Sequence, residues 1–110
     1  MKLPGGDSAI VDDQKLVGYC LDPDHPRGKH KARVFARVLG FTANNANELR
    51  KLLLTAAADN EATHTGSDAF GQRYVIEFEA SGPKGSGVVR SSWILRTGET
   101  TPRLTSCYVK

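Results

Sequence analysis

The stretch GQRYVIEFEASGPKGSGVVRSSWILR, residues 71–96, decides the fold. Within it Tyr74, Ile76 and Phe78 alternate with Val75, Glu77 and Glu79, the period of two that a strand with one buried face requires. Ser81-Gly82-Pro83-Lys84-Gly85 then supplies turn residues, and Val88 to Arg96 makes a second strand. Its alternation sets Arg90, Ser92, Ile94 and Arg96 on one face and Val89, Ser91, Trp93 and Leu95 on the other. After a turn at Thr97–Pro102, Arg103 to Val109 reads as a last strand, with Leu104, Ser106 and Tyr108 on one face and Thr105, Cys107 and Val109 on the other.

Before residue 71 the period is helical. Leu49, Leu52, Leu53, Ala56 and Ala57 give one apolar face over about three turns, and Asn45 with Glu48 three residues on has the form of a capping box. An earlier helix starts at about Lys29, carries the stripe Val34, Phe35, Val38, Leu39, and meets Gly40 where a left-handed C-terminal cap is needed. A shorter one follows Asp12, an N-cap candidate, with Leu16, Tyr19 and Cys20 on its apolar side, and stops before Pro23. Ala9-Ile10-Val11 reads as an edge strand or packed lead-in, and Asp59 through Gly71 as a long loop that is mobile or functional. Helices first and a meander last predict one α+β domain over residues 1–110, with two to three N-terminal helices packed on a three- to four-stranded antiparallel sheet.

Composition narrows the function classes. The chain has 39% hydrophobic and 25% charged residues, near the globular average. Its longest nearly apolar run, Leu52–Ala58, is far short of the ~18 residues of a membrane span. The N-terminus shows no apolar targeting segment, so the expectation is a cytoplasmic protein that does not engage a membrane. Cys20 and Cys107 stand far apart with no metal-ligand spacing and read as reduced core residues; no metal and no cofactor are expected. Walker, dinucleotide, nucleophile-elbow and HExxH motifs are all missing.

The net charge of +3 is unevenly distributed: residues 25–51 hold seven Lys/Arg against one Glu. Such a cluster points to a phosphate backbone or an acidic protein as partner. The rigid connector Leu21–Gly28, with two prolines and a glycine, leads into Lys29-His30-Lys31. Four residues before Val34 and Phe35, His30 and Lys31 continue the core-facing stripe at the margin of the core. Facing them, Arg90 and Ser92, with Ser106 or Tyr108 from the neighbouring strand, would complete an anion-binding cleft. Metal-free RNA cleavage needs a base for the 2′-hydroxyl, cations for the developing charge and an acid for the leaving oxygen. His30 is the candidate base or acid, Lys29, Lys31 and Arg90 the charge stabilisers, and Tyr108 or His25 the second proton-transfer group; Arg33, Arg96 and Ser106 add substrate contacts, as does Ser92.

The segments KLPGGDSAIVDDQKLVGYCLDPDHPRGKHKARVFARVLGFT, FGQRYVIEFEASGPKGSGVVRSSWILRTGE and PRLTSCYVK resemble a small bacterial family described as domain of unknown function 6883. The specific part is YCLDPDHPRGKHKARVF. The resemblance implies a stand-alone small protein or a C-terminal module of polymorphic toxins, paired with an antitoxin or immunity protein. It also implies a more distant similarity to the ribonuclease toxins of the barnase, EndoU and RelE-like group. Carried onto this sequence, the motif draws interest to His25, Gly28, Lys29, His30, Lys31 and Phe35, with Arg90, Ser92 and Trp93 from the strand. The expectation is therefore a metal-independent endoribonuclease toxin acting on RNA. The alternative is a non-catalytic module that binds nucleic acid or protein through the same patch.

Overall fold

Alternation in residues 71–96 becomes the central hairpin of a four-stranded antiparallel sheet, ordered β1 (Thr63–Asp68), β2 (Gly71–Gly82), β3 (Gly85–Arg96), β4 (Arg103–Val109). A computed structural model describes the whole chain, Met1–Lys110. Tyr74, Ile76, Phe78 and Ala80 of β2 are buried on one face, together with Val89, Ser91 and Trp93 of β3. Ser91 is the one buried polar residue there, and its hydroxyl is fully used: it donates to the Ile76 carbonyl at 2.8 Å and accepts from the Trp93 indole N–H at 2.9 Å. Pairing both groups removes the penalty of burying them.

Three helices cover this face. The first, α1, begins at Asp13–Lys15 and runs on as a π-helical segment, Leu16–Cys20. The second, α2, spans Lys29–Val34 and likewise continues in π-helical form through Phe35–Leu39. It ends at Gly40, whose φ of +81° is the left-handed conformation that the sequence led us to expect. The third, α3, is Ala46–Asp59, with Leu49, Leu53, Ala56 and Ala57 buried. Helices α1 to α3 and β1 to β4 thus make the expected α+β architecture of N-terminal helices on a C-terminal meander. No helix is long and apolar enough to cross a membrane.

Four local expectations are corrected. The segment Asp59–Gly71 is not a loop, because Thr63–Asp68 forms β1. As an edge strand with every side chain exposed except half-buried Gly66, it needs no apolar alternation, and its pairing to β2 holds it. In β4 the register slips so that Ser106 lies opposite Ser92 and Leu104 opposite Trp93. Thr105 is the extra residue of this bulge, and its hydroxyl donates to the Ser92 carbonyl at 3.1 Å. Leu104 and Cys107 therefore both reach the core, where strict alternation separated them. The capping box lies one turn earlier than Asn45/Glu48: Asn45 Oδ1 accepts the Thr42 N–H at 2.7 Å, and Thr42 Oγ1 accepts the Asn44 N–H at 3.2 Å. Asp12 occupies the N-cap of α1, but its carboxylate makes no cap bond and lies 3.7 Å from Arg103.

Candidate functional site

The connector between α1 and α2 folds back on itself because His25 satisfies its backbone. His25 Nδ1 accepts the N–H groups of both Arg27 and Gly28, each at 3.0 Å. Gly28 then passes against the end of α1 so closely that a Cβ there would meet the Tyr19 carbonyl oxygen at 2.2 Å. Only glycine permits that approach. The result sets the His25 ring edge-on to Tyr19, with centroids 4.9 Å apart and planes at 74°.

Lys31, in the first turns of α2, completes the arrangement. Its ammonium donates to Tyr19 Oη and to Ser106 Oγ, both at 2.8 Å, and stands 4.7 Å from the Tyr19 ring centroid. Since both hydroxyls accept from Lys31, the Tyr19 proton is free to donate elsewhere, while the Ser106 hydroxyl also reaches Cys20. Two of the three ammonium protons are used and one remains. His25, with Nδ1 accepting, carries its proton on Nε2 and is a further donor. Tyr19, Ser106 and His25 border an open hollow of about 450 Å³ with Lys15, Arg27, Gln14 and Thr105 on its walls and no acidic residue, while Lys31 stands behind the two hydroxyls, on the wall of a neighbouring hollow. Ammonium, guanidinium, hydroxyl and imidazole N–H groups form a donor set for an anion, and one with oxygen acceptors on several sides, such as phosphate.

Beneath the hydroxyls lie the two cysteines. The Cys107 N–H donates to Cys20 Sγ at 3.3 Å, so residues far apart in sequence are neighbours in the core. Hydrogen bonds from Cys107, opposed by burial and helped by the nearby Lys31 charge, bring the Cys20 thiol down to about 7. The Cys107 thiol is pushed the other way, first by its contact with Cys20 and then by burial. Cys20 is the acidic member of the pair, because it receives the Cys107 side-chain hydrogen bond foremost and the Cys107 N–H besides. Through their chain neighbours Tyr19 and Ser106, these two residues fix α1 against β4.

A family model described as a domain of unknown function matches residues 2–110. The chain belongs to that family, DUF6883. No curated protein and no solved structure matches the chain. In this DUF6883 chain the specific connector motif is thus the segment that builds the wall of the hollow.

The residues singled out in the sequence divide into groups. Lys31 and Ser106 meet directly, and His25 stands beside them through Tyr19. His30 is exposed and shares a shallower hollow of about 310 Å³ with Lys31, Val34, Tyr108 and Val109. Tyr108 lies across from Arg90, and Ser92 across from Ser106, in the β3–β4 register. Arg90 itself is tied to Glu77 at 3.0 Å, and Lys110 reaches the same carboxylate at 3.1 Å. The two cations, Lys110 foremost, hold the Glu77 carboxyl below its usual range. Lys29 forms no ion pair at the start of α2, and Arg33 points to a different hollow beside Phe41. Arg96 lies exposed at the end of β3. Tyr19, Arg27 and Lys15 were missed: Tyr19 was absorbed in an apolar stripe, and only the fold-back of the connector shows that its hydroxyl faces out.

Proposed function

We propose that this chain is a metal-independent endoribonuclease that holds an RNA phosphate in the hollow bounded by Tyr19, His25, Arg27 and Ser106, with Lys31 behind the two hydroxyls. The observation supporting this reading is the convergence of donors without any carboxylate, on a wall that also carries Lys15 and Arg27. In the reaction, the RNA 2′-oxygen forms a bond to phosphorus and the bond to the 5′-oxygen breaks, giving a 2′,3′-cyclic phosphate and a 5′-hydroxyl. Lys15, His25 Nε2–H and Arg27 stabilise the charge that builds on the phosphate oxygens, and Lys31 adds its charge from behind Tyr19 and Ser106. Tyr19 gives its proton to the leaving oxygen, and Lys31 stabilises the phenolate that results. His30, whose ring nitrogens have no protein partner, takes the proton of the 2′-hydroxyl from the neighbouring hollow. In this reading the protein is the toxin of a toxin–antitoxin or polymorphic toxin system acting on cytoplasmic RNA, and a cognate antitoxin or immunity protein covers the hollow.

A second reading is a module that binds RNA without cutting it. It is favoured by one observation: no side chain orients His30, whereas catalytic bases are held by a partner. The two readings separate when total bacterial RNA is incubated in EDTA with wild-type, His30→Ala and Tyr19→Phe proteins and the fragments are run on a gel. The ribonuclease reading predicts cleavage by the wild type and its loss in both variants, with RNA affinity nearly kept. Intact RNA in every lane, with salt-dependent binding, selects the binding module.

A further inference from the structure

The turn between β1 and β2 carries Phe70, which is 71% exposed, the most exposed large apolar side chain of the protein. Its place is fixed, because its N–H donates to Asp68 Oδ1 at 2.9 Å and its carbonyl accepts the Thr97 N–H at 3.0 Å. A phenyl ring held in water on a pinned turn loses free energy unless something covers it. Around it runs a groove of about 350 Å³ with Lys15, Arg73, Arg96 and Arg103 on its walls, and Asp12 as the acid among them. Arg73 is paired with Asp68 at 2.8 Å, and Arg103 with Glu99 at 3.5 Å and Asp12 at 3.7 Å. Lys15 and Arg96 have no ion-pair partner.

This groove adjoins the hollow described above, since Lys15 and Thr105 line both. We propose that it is a second subsite, which takes the nucleotide one step beyond the two that flank the reacting phosphate in single-stranded RNA, with the base stacked on Phe70 and its phosphate on Lys15 and Arg96. The proposal rests on the reading of the hollow as an RNA phosphate site. Exposed aromatic rings beside unpaired cations are the elements by which proteins hold single strands, because every base offers a π-face while the backbone offers charge. A duplex cannot use the site, since its bases are already stacked.

The test is anisotropy of a labelled 2′-O-methyl decauridylate, which cannot be cut at a 2′-hydroxyl, and of a labelled dinucleotide that reaches the hollow alone. Phe70→Ala is expected to weaken decamer binding by about 5- to 100-fold, Phe70→Tyr to preserve it, and Phe70→Leu to fail to preserve it. Arg96→Gln should weaken it and reduce the salt slope by about one, while dinucleotide binding stays unchanged in all four variants. Phe70 and Arg96 are exposed, so these proteins fold. Decamer binding by Phe70→Ala at wild-type strength, or a duplex bound as tightly as the single strand, overturns the subsite but leaves the hollow standing. A wild-type protein that binds neither RNA overturns both.

Discussion

Replacing Lys31 by Met keeps an unbranched side chain of similar length against the Tyr19 ring and removes the charge that joins α1, α2 and β4. Two charge-assisted hydrogen bonds of 2.8 Å disappear. Each is worth ~1.5–3 kcal/mol when made to an ionised group. Tyr19 and Ser106 are only half-buried, however, so water can replace the ammonium at both oxygens. The net loss of stability is therefore about 1–2 kcal/mol, a fall in Tm of roughly 5–15 °C for a domain of this size. Activity should suffer far more, because in the proposed reaction the same ammonium stabilises the Tyr19 phenolate and adds its charge behind the phosphate. Loss of one preorganised donor of this kind costs ~10²–10³ in rate. The assay is kcat/KM on a fluorogenic RNA oligonucleotide in EDTA, alongside a thermal melt. Lys31→Arg restores charge but not a single nitrogen between two hydroxyls, and should recover only part of the rate. A Lys31→Met protein that melts lower yet cleaves like the wild type would refute the assignment and leave Lys31 a purely structural residue.

His25→Asn offers an acceptor where Nδ1 sits and should keep the connector folded while losing the Nε2 donor, whereas His25→Ala should also lower stability by about 1–2 kcal/mol; equal melts for the two would contradict the acceptor role. Ser91→Ala strands the Trp93 N–H in the core and takes the hydroxyl bond from the Ile76 carbonyl, and chemical denaturation should show a loss of ~1–3 kcal/mol. Cys20 has its folded value lowered from 9.0 to about 7, so its ionisation adds stability that is present above pH 9 and fades as the pH falls through 7. Denaturation midpoints of wild type and Cys20→Ser should accordingly diverge by about 1–3 kcal/mol between pH 6 and pH 9, with the wild type gaining as pH rises; parallel profiles would show that Cys20 stays protonated.

The elements most legible in the sequence are those whose burial pattern is local. The alternation Tyr74-Ile76-Phe78, the leucine ladder of α3 and the Gly40 cap each announce themselves within a dozen residues. β1 gave no such signal, because an edge strand made of Thr, His, Ser and Asp is held by backbone pairing alone. The Thr105 bulge is equally silent in sequence, yet it decides that Leu104 and Cys107 share the core face. The Arg90–Glu77 pair was within reach: the two-residue turn pairs Gly82 with Gly85, and counting back from there places Glu77 opposite Arg90. The hollow itself was half visible. Its basic connector lies in one stretch of chain, but Tyr19 and Ser106 come from α1 and β4, and only the packing of those elements on α2 unites them with Lys31.

The central claim is that the donor-lined hollow promotes attack of a 2′-hydroxyl on its own phosphate. It is tested most directly by end-group analysis of RNA exposed to the protein in EDTA, with a fully 2′-O-methylated strand of the same sequence alongside. Cleavage of the RNA alone, with 2′,3′-cyclic phosphate and 5′-hydroxyl ends, is expected. Intact RNA, or cleavage of the methylated strand as well, would contradict it.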